Sequence, residues 1–174
     1  MTVRAAIVTV SDRAFAGEYE DKGGPGCESW LRGVVTTPLT VTRHIIPDGR
    51  ASVAEMLRAL VAEKADLILV TGGTGPAPRD ETPEGVADVI EKELAGFGEE
   101  MRRASLAEVP TAILSRQTAG IAGQSLIITL PGKPAAIATC LNAVFAAVPY
   151  CLDLIGAGRI ETDPAKITAF RPKA

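Results

Sequence analysis

Asp66-Leu67-Ile68-Leu69-Val70-Thr71-Gly72-Gly73-Thr74-Gly75 decides the fold. Four large aliphatic residues in a row, with no polar alternation, make a strand that must be covered on both faces. Strands of that kind belong to parallel sheets flanked by helices. The glycines end the strand and open a loop over residues 72–81. Thr82 then caps a helix that carries Pro83 at its first position, where the missing N–H costs nothing. Strand, Gly-rich turn and Pro-led helix together read as half of a βαβ unit.

Outward from that stretch, the same alternation fills the chain. Residues 3–10 and 39–46 read as strands, as does the aliphatic run over residues 126–130. A short helix around residues 27–31 carries Trp30. A longer one spans residues 52–64, with Ser52 and Glu55 as a capping box and Val53, Met56, Leu57, Leu60 and Val61 at helical spacing. Val86, Val89, Ile90 and Leu94 continue the stripe of the Thr82 helix until Gly96 and Gly98 break it. Residues 99–108 resume as a shorter, more charged helix. After Pro131-Gly132-Lys133-Pro134 comes a long apolar helix that Pro149 should kink or divide. The expectation is an α/β fold, three-layer α/β/α with a mostly parallel, doubly wound sheet. One domain covers residues 1–158, and residues 159–174 read as a polar, loosely packed tail.

Composition removes several classes of function. The 174 residues carry a formal charge of −3 and no Lys/Arg block, which argues against nucleic-acid binding. Aromatic residues are only 4%, too few for a base-stacking platform. His44 is the sole imidazole, so zinc sites built on two or three histidines are impossible. It falls within an apolar run and reads as an ordinary sheet residue. Cys27, Cys140 and Cys151 form no C-x-x-C and read as reduced thiols of a cytoplasmic protein. The longest apolar stretch, residues 135–155, is interrupted by Asn142, Pro149 and Asp153 and reads as a buried helix, not a membrane span.

In a parallel sheet, ligands bind beyond the carboxyl ends of the strands. Four loops there carry unusual residues: Ser11-Asp12-Arg13, Pro47-Asp48-Gly49, the stretch from Thr71 to Asp80, and Pro131-Gly132-Lys133-Pro134. Glycines allow close approach of the backbone to an anion and point successive N–H groups at it. Neither G-x-x-x-x-G-K-[ST] nor G-x-G-x-x-G occurs, which disfavours a Walker-type loop and a nicotinamide enzyme. Asp12, Asp48 and Asp80 all lie at this edge. Carboxylates facing a phosphate make sense with Mg²⁺ between them. The bland alternative is that each aspartate caps a turn.

These same residues carry a resemblance. Val10-Ser11-Asp12-Arg13 with Gly17, Tyr19, Asp21 and Gly24-Pro25, then Ile46-Pro47-Asp48, are similar to the molybdopterin adenylyltransferase family of molybdenum-cofactor biosynthesis domains. So are Thr71-Gly72-Gly73-Thr74-Gly75 through Arg79-Asp80 and Thr82-Pro83-Glu84, Gly96-Phe97-Gly98-Glu99, Leu114-Ser115-Arg116, and Leu130-Pro131-Gly132-Lys133-Pro134. The motifs span residues 3–156 in the family's order.

The resemblance implies transfer of AMP from Mg-ATP to the terminal phosphate of molybdopterin, with release of pyrophosphate. It implies Asp48 and Asp80 as catalytic, Mg²⁺-organising carboxylates. Thr71, Gly72, Gly73, Thr74 and Gly75 would cradle phosphate, Ser11, Asp12, Pro131 and Gly132 would help bind nucleotide, and Ser115 and Arg116 would shape the pterin pocket. A homotrimer that passes its product to a molybdenum insertase is implied as well. Gly85 departs from the pattern, since a better helix former is common there, and Lys133 occupies a variable position. The rival reading is a pterin- or nucleotide-binding module of the same fold that catalyses nothing.

Overall fold

The computed structural model describes residues 2–173. Its sheet has six strands in the order β2-β1-β3-β6-β5-β4: β1 (Val3–Val10), β2 (Leu39–Ile46), β3 (Leu67–Thr71), β4 (Lys92–Glu93), β5 (Ala119–Ala122) and β6 (Ser125–Leu130). The first four in that order run parallel, and β5 alone is reversed, pairing antiparallel with both β6 and β4, so the sheet is mostly parallel, as expected. β3 and β6 are buried at every position, which is why they read as mostly aliphatic runs.

The helices lie on both faces. Side chains alternate along β1: Val3, Ala5 and Ile7 join one core, Ala6, Val8 and Val10 the other. The first core is closed by α2 (Gly23–Val34), α5 (Ala95–Leu106), α6 (Pro134–Val144) and α7 (Val148–Ile155). The second is closed by α3 (Arg50–Ala62) and α4 (Thr82–Ala87). A four-residue helix, α1 (Asp12–Phe15), follows β1. Gly85 of α4 explains its departure from helix-forming residues. A Cβ there would stand 2.6 Å from the Val53 Cβ of α3, so the glycine lets the two helices pack closely.

Five expectations are corrected. The Thr82 helix ends at Ala87, and Leu94 is not on it. The Glu91 and Leu94 N–H groups instead donate to the Ile121 and Ala119 carbonyls, and Lys92–Glu93 forms an edge strand. Gly96 and Gly98 start α5 rather than break a helix. Ser52 is no cap: its hydroxyl donates to the Pro47 and Gly49 carbonyls, inside a helix that begins at Arg50. Thr82 is likewise the first helical residue and not the cap. The segment after Gly158 is packed, not loose. Ile160 is buried, Thr162 bridges to Val35, and the Arg171 guanidinium donates to Asp153 at 2.5 Å. These contacts continue the single body through residues 159–171.

The apolar stretch from Pro134 to Ile155 divides where Pro149 signalled. A 3₁₀ turn (Phe145–Ala147) separates α6 from α7, and both helices pack on the sheet through Ile137, Leu141, Phe145 and Leu152. His44 is a half-exposed residue of the edge strand β2 beside Thr42. Cys27 and Cys140 are buried free thiols, and burial pushes the Cys27 thiol up to about 12.

Candidate functional site

Register places the carboxyl ends of four parallel strands side by side: Val10 against Ile46, Thr9 against Thr71, and Thr71 against Leu130. The loops that follow therefore meet at one edge. There the Asp12 N–H donates to Asp48 Oδ2 and the Asp48 N–H returns the bond to Asp12 Oδ1, both at 2.9 Å. Asp80 turns back on its own loop, its Oδ2 accepting from the Ala77 N–H at 3.1 Å. Each carboxylate is thus held by one main-chain donor through one oxygen. The second oxygen of each has no protein donor among the described residues. With Ser11, Arg13, Tyr19, Gly73 and Arg79 they line a cleft of about 200 Å³.

The Gly-rich loop is built to stay open toward ligand. Gly73 has φ +67, and a Cβ there would lie 2.2 Å from the Thr82 hydroxyl, so only glycine fits. The Thr82 hydroxyl and N–H bond the Gly72 and Gly73 carbonyls, sewing the loop to α4. The Thr71 hydroxyl donates to the Pro131 carbonyl at 2.7 Å and joins the loop to the next one. Meanwhile the main-chain N–H groups of Gly73, Thr74 and Gly75 meet no acceptor among the described residues. Three successive donors at a strand end suit an anion.

Arg116 secures this loop from behind. Its main-chain N–H donates to the Thr74 carbonyl at 2.8 Å and its Nε to the Gly75 carbonyl at 3.0 Å. The guanidinium also meets the Asp80 carbonyl and pairs with Glu84, holding the Glu84 carboxyl below the usual range. Its hydrogen bonds fix the loop's shape, and it does not line the cleft where Ser115 sits.

That second cleft, of about 480 Å³, lies on the far side of the loop. Gly72, Gly73, Thr74 and Gly75 form one wall, Pro131, Gly132 and Lys133 another, and a 3₁₀ turn (Pro110–Leu114) with Ser115 the third. Beneath it runs a chain of side-chain hydrogen bonds. The Ser115 hydroxyl donates to Gln117, Gln117 Nε2 donates to Cys140 Sγ at 3.2 Å, and Cys140 meets the Ser105 hydroxyl at 3.5 Å. Gln117 is only 2% exposed, so this chain fixes it and, through it, Ser115. Gly73 and Asp80 line both clefts.

The sequence profile of the probable molybdopterin binding domain family matches residues 6–150. The chain belongs to that family. Among its relatives, the molybdopterin adenylyltransferase of Escherichia coli (strain K12) is 46% identical over 186 residues, covering 99% of this chain and 95% of that one. The molybdopterin adenylyltransferase of Helicobacter pylori (strain J99) is 48% identical, covering 99% of this chain and 98% of that one. Among solved structures, the molybdopterin biosynthesis enzyme MoaB from Thermus thermophilus superposes with a TM-score of 0.81 at 38% identity, over 90% of this chain and 98% of that one.

The described residues include no group of three or more His, Cys, Asp or Glu side chains placed to hold a metal unaided. Mg²⁺ keeps several waters and is commonly held by one or two carboxylates plus substrate phosphate. The unengaged oxygens of Asp12, Asp48 and Asp80 fit an ion that arrives with a nucleotide. Two participants escaped the sequence reading. Gln117 directly follows the Ser115-Arg116 pair, and its burial was the missing signal. Ser105 lies on α5 with nothing in its neighbours to mark it.

Proposed function

We propose that this chain transfers AMP from Mg-ATP to the terminal phosphate of molybdopterin and releases pyrophosphate. The observation that carries the reading is the shared wall: two clefts of different character meet at Gly73 and Asp80. The acidic cleft suits the metal-bound triphosphate. The larger cleft, with Ser115 fixed by Gln117, suits the pterin. The names of relatives that cover 99% of the chain support the same assignment.

The reaction needs alignment and charge neutralisation more than a protein nucleophile. A phosphate oxygen of the pterin substrate attacks the α-phosphorus, and the bond to the β-phosphate breaks with its electrons leaving on pyrophosphate. Asp48 and Asp80, with Asp12 beside them, would hold Mg²⁺, which when bound neutralises the triphosphate. The N–H groups of Gly73, Thr74 and Gly75 bind phosphate between the clefts, and Ser11, Pro131 and Gly132 border it. Arg116 acts on the pterin side only by holding the loop.

Purified protein given Mg-ATP and molybdopterin should release pyrophosphate and form an adenylylated pterin. Binding of both ligands without pyrophosphate identifies a module that catalyses nothing. Orthophosphate released without the pterin identifies an ATPase. The proposal includes a cytosolic homotrimer that hands its product to a molybdenum insertase. Exposed Leu106, Val109, Ile113 and Leu114 beside the larger cleft are consistent with a subunit contact. A monomeric mass by sedimentation equilibrium would remove the trimer alone.

A further inference from the structure

The arginines of this chain divide sharply. Most are engaged: Arg32 and Arg43 pair with Glu28, Arg50 with Asp88, Arg103 with Glu100, and Arg116 with Glu84. Arg159 and Arg171 pair with Asp153 and Glu161, while Arg58 and Arg102 donate to main-chain carbonyls. Among the described residues only Arg4, Arg13 and Arg79 have a guanidinium with neither an ion pair nor a hydrogen bond to protein. Two of those three line the acidic cleft.

Their isolation there has a chemical meaning. The cleft offers three carboxylates, and a guanidinium beside a carboxylate ordinarily takes it in a forked pair. Here one oxygen each of Asp12, Asp48 and Asp80 is held by a main-chain donor, and neither guanidinium takes the other. Arg13 rests over the Tyr19 ring, 5.3 Å from its centre, which steadies the cation without consuming a donor. Arg79 projects from the Gly-rich loop next to Asp80. Three carboxylates alone would repel a polyphosphate. With two guanidiniums and one Mg²⁺ in the same cleft, the lining turns net positive by one charge.

We infer that Arg13 and Arg79 hold the β- and γ-phosphates of the nucleotide and carry pyrophosphate as it leaves. This rests on the nucleotidyl-transfer reading above and assigns the leaving-group end of that site. The β- and γ-phosphates carry most of the nucleotide's charge, and charge on the leaving group rises as its bond to the α-phosphorus breaks. Cations placed there act on the developing charge, while the loop N–H groups serve the α-phosphate.

Calorimetry without pterin tests the assignment on Mg-ATP, AMP and Mg-pyrophosphate separately. Arg79→Gln and Arg13→Gln should each weaken Mg-ATP and Mg-pyrophosphate by about 10-fold, as for one lost charge-assisted contact, and leave AMP unchanged. Arg79→Lys should recover part of the loss. Arg4→Gln, an unpaired arginine outside the cleft, should match the parent protein on all three ligands. Unchanged pyrophosphate affinity in both cleft variants overturns the inference while leaving the transferase reading intact. So does an equal loss for AMP, which would mean a general collapse of the site. Parent protein that binds none of the three ligands overturns both.

Discussion

The two clefts beside the Gly-rich loop are built by different means. The acidic one hangs on topology: Asp12 follows β1, Asp48 follows β2, and Asp80 closes the loop after β3. Parallel register is enough to gather them, and main-chain donors hold their oxygens. The larger one hangs on side chains: Ser115 leans on buried Gln117, and Gln117 leans on Cys140 of α6. Changing a side chain in the first removes charge and leaves shape. In the second it removes shape, because each hydroxyl is placed by its neighbour.

The comparison breaks most severely at the wall the clefts share. Gly73→Val puts a branched side chain at φ +67 and against Thr82, at a cost of roughly 3 kcal/mol or more. Affinity for both Mg-ATP and molybdopterin should fall by about 100-fold or more in a variant that still unfolds cooperatively. Loss of only one ligand would show that the clefts do not share this wall in function. Next comes charge alone. Asp48→Asn and Asp80→Asn should each slow adenylyl transfer about 100-fold, since one preorganised electrostatic contact is worth on the order of 3 kcal/mol. Molybdopterin affinity should stay level and melting temperatures nearly so, and the double variant should be little worse than the worse single. A near-normal rate in either single variant removes that residue from the machinery.

Gln117→Leu probes the other cleft. It strips Ser115 and Cys140 of a hydrogen-bond partner, so stability should drop by about 1–2 kcal/mol in thermal melts. Molybdopterin affinity should weaken about 10-fold while Mg-ATP affinity holds. Equal effects on the two ligands would erase the distinction between the clefts. The smallest effect belongs to Glu84. Its carboxyl sits below the ordinary value of 4.5 because Arg116 bonds it, so its contribution is present above that value and lost as pH falls through the lower, folded one. The pair is more than a third exposed, so the loss is about half a kcal/mol. Glu84→Gln should cost the same at pH 7 and remove that acid-side step in a pH series of melts.

Legibility followed the same division. The parallel strands and the acidic edge showed in the sequence because a doubly buried strand reads as an aliphatic run and its loop follows directly. The antiparallel edge did not show. Ala119-Gly120-Ile121-Ala122 is too short and too small to read as a strand, and Val86, Val89, Ile90 and Leu94 imitate a helical stripe. The resemblance places Arg116 in the pterin pocket until Glu84, distant in sequence, is found occupying its guanidinium. The tail read as loose because one anchor, Val35, lies far from it in the chain, and the pairing of Arg171 with Asp153 of the preceding helix leaves no mark in a residue pattern.

The reciprocal bonds between Asp12 and Asp48 have a consequence for how such a chain can change its length. Each loop measures the other, so one residue inserted before Asp12 or before Asp48 misaligns both carboxylates at once. Compensating it requires a matched change in a segment more than thirty positions away. The turn between β5 and β6 has no reciprocal pair: the Gly123 N–H donates to Glu91 and the Gln124 amide to the Gly156 carbonyl, so a change of its length disturbs only its own one-way contacts. Insertions and deletions are therefore filtered by this one pair of contacts, and two loops that look independent in the sequence must keep their lengths together.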